Sequence, residues 1–329
     1  MTTIKVLVTR PISTESCHII NGVSSDLEII DASEQFLAEQ DGLSGAKEKL
    51  DALLSDAEVI YSRLPVDLLN RAPKLKWVQV RSAGVNRFLN DEFRRHPAIL
   101  TNMTGNAATP IAEFVLQLML MFVKQASLLF QLKQEKQWRK IPLSVLRSKT
   151  VGIVGLGHIG REVARLAKAF GMNMVATRRS AKDVRKARYV DKLMPSKHLP
   201  QLPAESDFVV LTLPLTPETN ELIGEKELRT MKPSAYIINI ARGGIIDKKA
   251  LLQALNEHWI AGAGLDVFAV EPLPLDSPLW SLPNVLFSPH ISGRREDSDK
   301  QATRLFSENL RRYLSGKRLL NVVDKKKGY

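Results

Sequence analysis

The stretch Val151-Gly-Ile-Val-Gly-Leu-Gly-His-Ile-Gly160 decides how this chain folds. Its apolar residues run into a glycine turn, and residues 161–170 continue with Val163, Leu166 and Ala167 spaced for one face of a helix. In such a strand–turn–helix unit the glycines permit a tight turn, close approach of a pyrophosphate and packing of helix on strand. The N-terminus of the helix then offers free N–H groups to the anion. The loop therefore predicts a dinucleotide-binding site formed by Gly155, Leu156, Gly157, His158, Ile159 and Gly160.

Strand-like and helix-like segments alternate on both sides of this loop. Alternation of this kind predicts parallel sheets covered by helices, an α/β fold. A long helix is expected over about residues 107–137, between two series of strands, and another over about residues 296–314. The predicted strands are residues 4–9, 27–31, 57–61, 77–80 and 98–102 in the first series, and 151–154, 172–177, 208–213, 235–240, 262–267 and 285–288 in the second.

The composition excludes several classes of protein. The chain has 329 residues, of which 44% are hydrophobic and 25% charged, as in globular proteins and unlike disordered or fibrous ones. The single cysteine, Cys17, cannot form an internal disulfide, and residues 1–11 lack the apolar core of a signal peptide, so we expect a cytoplasmic protein. The most apolar run, residues 111–123, is too short to cross a bilayer, and no membrane association is expected.

The net charge of +12 is spread along the chain. It is accompanied by no zinc-finger spacing, basic zipper or stacking motif. We therefore expect no nucleic-acid partner and attribute the charge to attraction of anionic ligands. The six histidines do not cluster in the sequence, so no metal site is expected.

Arg178-Arg179-Ser180 follow the strand predicted after the glycine loop, close to where NAD-binding proteins place an acidic residue on the ribose hydroxyls. A carboxylate there would repel a 2′-phosphate, whereas two guanidinium groups and a hydroxyl attract it. The triplet therefore favours NADP(H), with NAD(H) as the alternative cofactor. A solvated basic turn is the competing interpretation, and the nearby Lys182, Arg185 and Lys186 are consistent with it.

Three polar residues of the second series have the chemistry of a catalytic site. Arg242 follows the strand predicted over residues 235–240, so it should emerge at the carboxyl end, where open α/β sheets bind ligands, and it can clamp a carboxylate. His290 also follows a strand, and histidine is the usual general acid–base near neutral pH. Glu271 can stabilise a protonated imidazole and fix its tautomer. Taken singly, each residue could instead be structural, cap a turn or contact solvent.

The motifs in this order resemble those of the D-2-hydroxyacid dehydrogenase family, in particular its NADP-preferring glyoxylate/hydroxypyruvate reductases. The resemblance covers nearly the whole chain and rests on residues 155–160, 213–219 (LPLTPET), 238–244 (INIARGG), 264–268 (GLDVF), 271–273 (EPL) and 288–292 (SPHIS). It implies an oxidoreductase that transfers hydride between NADP(H) and a small 2-keto acid or D-2-hydroxy acid. In that reaction His290 is the general acid–base with Glu271 as its partner, and Arg242 clamps the substrate carboxylate.

The resemblance also implies further contacts, taken over position by position. The cofactor contacts that it adds are Thr109, Leu213, Pro214, Thr219, Ile240, Ala241, Arg242, Asp266, His290, Ser292 and Gly293. Asp266 is expected to accept from the nicotinamide carboxamide. The substrate contacts that it implies are Ser82, Ala83, Gly84, Val85, Arg242 and His290.

Three features near the expected substrate are less clear-cut. Arg63, at the end of the strand predicted over residues 57–61, is a further candidate substrate contact. Asn86 stands where the family often has an aspartate. The pair Arg294-Arg295 also departs from the family pattern, and it either favours a second anionic group on the substrate or faces solvent.

The resemblance implies two Rossmann-like domains with the substrate between them. A doubly wound parallel-sheet dinucleotide-binding domain is expected over residues 103–289, and a smaller flavodoxin-like substrate domain over residues 1–102 plus 290–329. A homodimer is expected because the long helix carries more apolar surface than one face needs, at Phe114, Leu118, Met121 and Phe122. Packing of that helix on its own sheet is the competing interpretation.

Two other functions remain open from the sequence. One is a dinucleotide-sensing, co-repressor-like binding protein, towards which only the basic charge points. The other is a phosphoglycerate or phosphite dehydrogenase on the same scaffold.

Overall fold

The computed structural model describes residues 3–85 and 88–328. The chain divides into two compact units. The smaller unit comprises Met1–Asn106 with Arg295–Tyr329, and the larger unit comprises Ala107–Arg294.

The boundaries of the units differ by a few residues from the predicted 102/103 and 289/290. Residues 103–106 remain with the smaller unit because the Met103 N–H donates to the Ser82 carbonyl, 3.1 Å away. Residues 290–294 remain with the larger unit because the Ile291 N–H donates to the Asp266 carboxylate, 2.8 Å away.

Strands and helices alternate in both units. The strands are β1 (Ile4–Val8), β2 (Leu27–Asp31), β3 (Val59–Ser62), β4 (Trp77–Val80), β5 (Ile99–Thr101), β6 (Thr150–Val154), β7 (Asn173–Arg178), β8 (Arg185–Ala187), β9 (Val190–Pro195), β10 (Phe208–Leu211), β11 (Tyr236–Asn239), β12 (Gly262–Leu265) and β13 (Val285–Phe287). The helices are α1 (Thr14–Asn21), α2 (Ser33–Gln40), α3 (Ala46–Leu54), α4 (Leu68–Arg71), α5 (Asp91–Arg95), α6 (Ala108–Val123), α7 (Ala126–Gln134), α8 (His158–Ala169), α9 (Leu202–Glu205), α10 (Glu225–Thr230), α11 (Lys248–Asn256) and α12 (Ser298–Leu314).

The sheet of the smaller unit has the strand order β2-β1-β3-β4-β5. All four pairs are parallel, with Val6 opposite Ile29 on one side and Val59 on the other. This is the flavodoxin-like order, in which the direction of strand addition reverses between β1 and β3. The predicted flavodoxin-like domain is confirmed.

Helix α12 completes the core of the smaller unit from the far end of the sequence. Phe306 is fully buried, and its ring stacks on Tyr61 at 4.0 Å and packs against Trp77 at 5.3 Å. Burial of one such side chain contributes roughly 1.5–3 kcal/mol. Beyond the helix, the Val323 N–H donates to the Leu100 carbonyl (2.8 Å), so the chain runs back along edge strand β5.

The sheet of the larger unit has the order β13-β12-β11-β10-β6-β7-β9-β8. Its pairs are parallel except for β8 with β9. The chain moves outward from β6 through β7 to β9 and then returns to β10 on the other side of β6. The carboxyl ends of β6 and β10 therefore mark the switch point at which doubly wound sheets bind ligands. The predicted doubly wound parallel sheet is confirmed.

The prediction of a single helix over residues 107–137 was wrong. The segment forms two helices, α6 and α7, whose axes are bent by 61° at the break between them. Gln125, at the break, has a φ of +49°, a left-handed conformation that cannot continue a right-handed helix. Its side chain donates to the Pro142 carbonyl (2.7 Å), and Lys124 donates to the Ser144 carbonyl (2.9 Å). The segment after α7 therefore folds back across the bend.

The apolar face of α6 packs on the sheet of its own unit. Phe122 stacks on Tyr236 at 4.2 Å, and a Cβ on Gly264 would lie 3.0 Å from the Leu118 side chain. This supports the competing interpretation for Leu118 and Phe122. The exposed apolar side chains of the neighbouring segment are Leu129, Phe130, Trp138, Leu143 and Val145.

Within residues 3–85 and 88–328, no single helix is long and apolar enough to span a membrane, although α6 and α7 taken together meet that criterion by length and composition. The same residues contain no group of three His, Cys, Asp or Glu side chains placed to hold a metal ion. Cys17 is half-buried and is a free thiol.

Candidate active site

The glycine loop lies at the carboxyl end of β6, at the switch point of the sheet. Gly155 has a φ of +99°, and a Cβ there would lie 2.9 Å from the Leu213 Cβ. A Cβ on Gly160 would lie 2.6 Å from the Gly155 carbonyl oxygen, whereas one on Gly157 would meet nothing within 4 Å. Helix α8 begins directly afterwards at His158, and in the described chain no side chain caps its first N–H groups. The loop is tight towards the protein and open at Gly157, which fits a bound pyrophosphate.

The backbone holds the basic triplet beside this loop. The N–H groups of Gly155 and Leu156 both donate to the Thr177 carbonyl, at 3.1 Å each. Thr177 immediately precedes Arg178-Arg179-Ser180, which form the exposed end of β7 and the turn after it. An open depression of about 460 Å³ next to them is lined by Ser180, Lys182, Asp183 and Arg185. The residues predicted to bind a phosphate are thus accessible and adjacent to the glycine loop.

Arg242 leaves the carboxyl end of β11 through a turn braced by Asn239. The Asn239 side chain accepts from the Ala241 N–H (3.0 Å) and donates to the Arg242 carbonyl (2.9 Å). The following residue packs against another stretch of backbone, since a Cβ on Gly243 would lie 1.9 Å from the Phe268 carbonyl carbon. The turn that carries Arg242 is therefore closely packed, and it has no room for a side chain at Gly243.

The guanidinium of Arg242 is half-buried and donates to the Ala241 carbonyl (2.6 Å). Burial lowers the pKa of Arg242, and the charge of the nearby Glu271 partly offsets this effect. Because an arginine side chain remains protonated in proteins, the edge of the sheet carries a permanent positive charge at this point.

His290 and Glu271 pair at the same edge, with Nδ1 of His290 2.8 Å from Oε2 of Glu271. The other carboxylate oxygen accepts from the Phe268 N–H (2.9 Å). Burial alone would raise the pKa of Glu271, but the hydrogen bonds from His290 and Phe268 and the charge of Arg242 hold it below its ordinary value. The carboxylate is therefore ionised at neutral pH. Because Glu271 occupies Nδ1, the other ring nitrogen of His290, Nε2, is left to exchange a proton.

The loop that carries His290 is held by the buried carboxylate of Asp266. Asp266 is 1% exposed and accepts from the Ser288 hydroxyl (2.6 Å), the Ile291 N–H (2.8 Å), and both the N–H and the hydroxyl of Ser292. His290 itself has a φ of +55°, which is strained for a residue with a side chain. Hydrogen bonds on both sides of His290 therefore fix the strained backbone. This structural role of Asp266 was not predicted from the sequence pattern.

The loop after β10 contains three predicted cofactor contacts. Leu213 packs against Gly155, because a Cβ added to Gly155 would lie only 2.9 Å from the Leu213 Cβ. The Thr219 hydroxyl accepts from the Thr216 N–H and donates to the Pro214 carbonyl, both at 2.7 Å. Thr219 therefore braces the turn that presents Pro214.

The remaining predicted cofactor contacts of the larger unit differ in exposure. Ile240 and Ala241 are buried, at 4% and 7% exposure, whereas Thr109 is exposed in the first turn of α6. A Cβ on Gly293 would lie 3.2 Å from the Ala107 side chain, so the end of the His290 loop contacts the start of α6.

In the loop of residues 82–85 of the smaller unit, three backbone carbonyl groups accept hydrogen bonds from nearby residues of the same unit. The Ser82 and Ala83 carbonyls accept from the Met103 N–H (3.1 Å) and the Asn102 amide (2.8 Å), and the Gly84 carbonyl accepts from the Ser82 hydroxyl (2.7 Å). For the part of the chain that the structure describes, no acceptor is found for the N–H groups of Ala83 and Gly84. A loop whose carbonyl groups are occupied and whose N–H groups are available is suited to bind an anion.

The other predicted residues of the smaller unit have separate surroundings. Val85 is buried, and Asn86 lies outside the described residues. The exposed Arg63 donates to the Gln40 side chain (3.2 Å). Arg295 pairs with Asp297 at 2.7 Å, and Arg294, at the end of the larger unit, is exposed.

Two positioning residues escaped the sequence analysis. Asn239 and Ser288 are both buried and stand at the carboxyl ends of apolar strands, where each hydrogen-bonds to the turn that carries a candidate catalytic residue. An isolated polar residue at the end of an otherwise apolar strand is the signal that could have identified them.

Comparison with known proteins agrees with this geometry. Residues 116–292 match the model of the D-isomer specific 2-hydroxyacid dehydrogenase NAD-binding domain. The chain is 35% identical over 290 residues to glyoxylate reductase of Thermococcus litoralis, covering 84% of each chain. It is 34% identical over 332 residues to glyoxylate reductase of Aeropyrum pernix, covering 98% of this chain and 96% of that one.

Solved structures show the same architecture. The crystal structure of NADPH-dependent glyoxylate/hydroxypyruvate reductase from Sinorhizobium meliloti, in complex with NADP and sulfate, matches with a TM-score of 0.83 at 28% identity, covering 99% of this chain and 100% of that one. The match covers nearly the whole chain. The chain therefore belongs to the D-isomer specific 2-hydroxyacid dehydrogenases and is an oxidoreductase with a nicotinamide-dinucleotide-binding domain.

Proposed function

We propose that this protein reduces a small 2-keto acid, such as glyoxylate or hydroxypyruvate, to the D-2-hydroxy acid with NADPH. The observation that supports this most strongly is the 2.8 Å pair of His290 and Glu271, at the edge of the sheet that also presents Arg242. A protein that only senses dinucleotides needs binding without turnover and gains nothing from a proton-transfer pair. The relatives named glyoxylate reductase favour the same class of substrate.

The chain offers a defined place for the dinucleotide. The open backbone at Gly157 and the N-terminus of α8 would hold the pyrophosphate, and Arg178-Arg179-Ser180 would hold a 2′-phosphate through charge-assisted hydrogen bonds. The Sinorhizobium meliloti relative was crystallised with NADP, which favours the same preference here. When bound, the reduced cofactor supplies the hydride.

Arg242 orients the substrate. Its guanidinium can bind a carboxylate in a two-point geometry, which places the adjacent keto group beside the cation. Because the guanidinium is half-buried, its attraction for that carboxylate is stronger than it would be in bulk water. The positive charge also favours the negative charge that develops on the keto oxygen during reduction.

His290 supplies the proton. Glu271 holds Nδ1, so Nε2 can donate a proton to the keto oxygen as that oxygen gains charge. The ring is then neutral and recovers a proton from water, which can reach it because the side chain is 49% exposed. Asp266 keeps the ring in place through the backbone on either side of it.

We propose a homodimer that uses the segment around α7. Phe130, Trp138, Leu143 and Val145 are between 49% and 99% exposed and all lie in the segment 130–145, and exposed apolar side chains that cluster are typical of protein–protein contact sites. We place the dimer interface on this segment and no longer on the apolar face of α6, because that face packs on its own sheet.

The proposed reaction is tested by the initial rate of NADPH oxidation with glyoxylate and with hydroxypyruvate, measured for the wild type and for His290→Ala. Loss of the general acid should lower the rate by roughly 10²–10⁴-fold. NADPH binding, followed by its fluorescence, should remain within about threefold of wild type, a free-energy change below about 0.7 kcal/mol. His18→Ala, an exposed histidine on α1, is the matched control and should behave as wild type.

Turnover that survives in His290→Ala would refute the proposed mechanism. Tight NADPH binding by the wild type without reduction of any 2-keto acid would instead favour the sensing protein.

A further inference from the structure

A single hydroxyl group connects the glycine loop to the neighbouring strand of the larger unit's sheet. Thr212 follows β10, which pairs with β6, and its N–H donates to the Val154 carbonyl at the end of β6 (3.0 Å). Its hydroxyl donates to the Gly155 carbonyl, 2.5 Å away. Leu213 and Pro214 were predicted as cofactor contacts, whereas no role was predicted for Thr212.

Hydrogen bonds hold both polar backbone groups of Gly155. Its N–H donates to the Thr177 carbonyl (3.1 Å), and its carbonyl accepts from the Thr212 hydroxyl and from the Gly157 N–H (3.0 Å). Gly155 has a φ of +99°, and a glycine can adopt many other backbone conformations. The conformation of the loop at this residue therefore depends on these hydrogen bonds.

The Gly155 carbonyl oxygen and the Thr212 hydroxyl lie together beneath the first turn of α8. A Cβ on Gly160 would lie 2.6 Å from the carbonyl oxygen and 2.9 Å from the hydroxyl oxygen. Gly160 is buried and Thr212 is half-buried, so this contact is on the protein side of the loop. The absence of a side chain at position 160 makes room for the hydrogen bond.

The open side of the loop presents donors. The N–H groups of His158 and Ile159 begin α8, and neither has an acceptor among the residues that the structure describes. Such free N–H groups attract a phosphate, whereas a carbonyl oxygen in the same place would repel it.

The direction of the Gly155 carbonyl therefore matters for binding of an anion. Rotation of the peptide between Gly155 and Leu156 away from its present orientation would bring the oxygen towards the donors of α8. It would also separate the carbonyl from the Thr212 hydroxyl and leave both half-buried groups without each other, which costs free energy. The hydrogen bond from Thr212 thus favours the orientation that leaves the helix N-terminus to the anion.

We propose that Thr212 is a positioning residue for the dinucleotide, whose hydroxyl holds the Gly155 carbonyl away from the pyrophosphate. Thr212 acts through Gly155 and contacts no reacting atom, so it affects binding of the cofactor and not the chemical step. The inference rests on the proposed binding of the dinucleotide at the glycine loop. Because the pyrophosphate is common to NADPH and NADH, Thr212 acts equally on both, unlike the triplet Arg178-Arg179-Ser180.

The experiment titrates the full chain with NADPH and with NADH and follows the fluorescence of the reduced cofactor. Thr212→Ala and Thr212→Ser differ by one hydroxyl oxygen and form a matched pair. We expect Kd for both cofactors to rise roughly 5–20-fold in Thr212→Ala, the effect of one lost hydrogen bond in a half-buried site, and to stay within about threefold of wild type in Thr212→Ser. In the reaction with glyoxylate, Thr212→Ala should raise KM for NADPH and leave kcat at saturating NADPH within about threefold.

Two further variants separate positioning from packing. Thr212→Val keeps the volume but turns a methyl group towards the Gly155 carbonyl, so it should weaken binding at least as much as Thr212→Ala. It also keeps the test valid if the smaller side chain destabilises the fold. Thr150→Ala, the same change at the amino end of β6, should bind both cofactors like the wild type.

Equal Kd values for Thr212→Ala and Thr212→Ser would overturn the proposal, since the hydroxyl would then have no effect. A loss confined to NADPH would also overturn it, because the 2′-phosphate and not the pyrophosphate would be affected. The titrations need no turnover. If no 2-keto acid is reduced, the proposed reaction fails, whereas weaker binding of both cofactors by Thr212→Ala still supports the role of Thr212.

Discussion

The Ser288 hydroxyl donates to the Asp266 carboxylate across 2.6 Å, and both residues are buried. Ser288 lies two positions before His290, and Asp266 also binds the two residues after it. Asp266 is therefore the anchor of the His290 loop.

Replacing Asp266 by Asn should destabilise this loop. The amide group turns a donor towards buried donors, and we expect a loss of roughly 3 kcal/mol in the free energy of unfolding, measured by urea denaturation. Ser288→Ala removes one donor and should cost about 1 kcal/mol. Asp183→Asn, at an exposed position, is the control, and equal stability of Asp266→Asn and this control would contradict the anchoring role.

Gly243→Ala should disrupt the turn that positions Arg242. The new Cβ would lie 1.9 Å from the Phe268 carbonyl carbon, and backbone cannot move aside as a flexible side chain can. We expect a loss of at least about 3 kcal/mol in stability, together with a fall in kcat/KM. Gly224→Ala, whose Cβ would lie 3.7 Å from the nearest atom, should be tolerated. Wild-type thermal stability in Gly243→Ala would show that the two turns are not packed as described.

The depressed pKa of Glu271 makes part of the stability depend on pH. The unfolded chain takes up this proton near pH 4.3, roughly the ordinary value for Glu, whereas the folded chain takes it up at lower pH. The stabilisation is therefore present above that value and is lost as the pH falls through the folded pKa. Unfolding midpoints of wild type and Glu271→Gln should differ at neutral pH and converge in acid. A difference that stays constant down to acid pH would contradict this assignment.

Arg178→Gln should change the choice of cofactor. Removing one charge-assisted phosphate contact should lower kcat/KM for NADPH by roughly 10–100-fold, while kcat/KM for NADH, which has no 2′-phosphate, should change little. Arg188→Gln, an exposed arginine over the Tyr189 ring, is the matched control. Equal losses with both cofactors would mean that Arg178 does not distinguish them.

Trp138→Ser should weaken the proposed dimer. Trp138 is 99% exposed, so its loss cannot disturb a core, and light scattering with size-exclusion chromatography should show a shift towards monomer. Val66→Ser, at an isolated apolar position with 76% exposure, should leave the mass unchanged. A wild-type mass equal to that of one chain would refute the dimer itself.

Local patterns were sufficient to predict the strand–turn–helix unit at Gly155–Gly160 and most strands, because burial on both faces of a parallel sheet leaves apolar runs. They did not predict the bend at Gln125, since its side chain is fixed by Pro142, a residue distant in sequence. The β8–β9 hairpin was missed because its first strand is short and basic.

The same distinction applies to the site. Arg242, Glu271 and His290 are residue types with a well-defined chemistry, so their positions after predicted strands and the family resemblance were enough to predict them as site residues. The roles of Asn239 and Asp266 depend on hydrogen bonds across turns, those of Asn239 to the backbone around Arg242 and those of Asp266 to the residues on both sides of His290. None of these relationships is visible before the sheet is assembled.

The stacking of Phe306 on Tyr61 has a consequence for biosynthesis. Residues 107–294 form a continuous unit that can fold as soon as they are made, whereas the earlier-synthesised strands β1–β5 wait for α12 to cover Tyr61 and Trp77. During translation the first hundred residues therefore expose aromatic surface from the synthesis of Tyr61 and Trp77 until α12 is made. A nascent chain arrested before α12 should be a better chaperone client and protease substrate than one arrested after it.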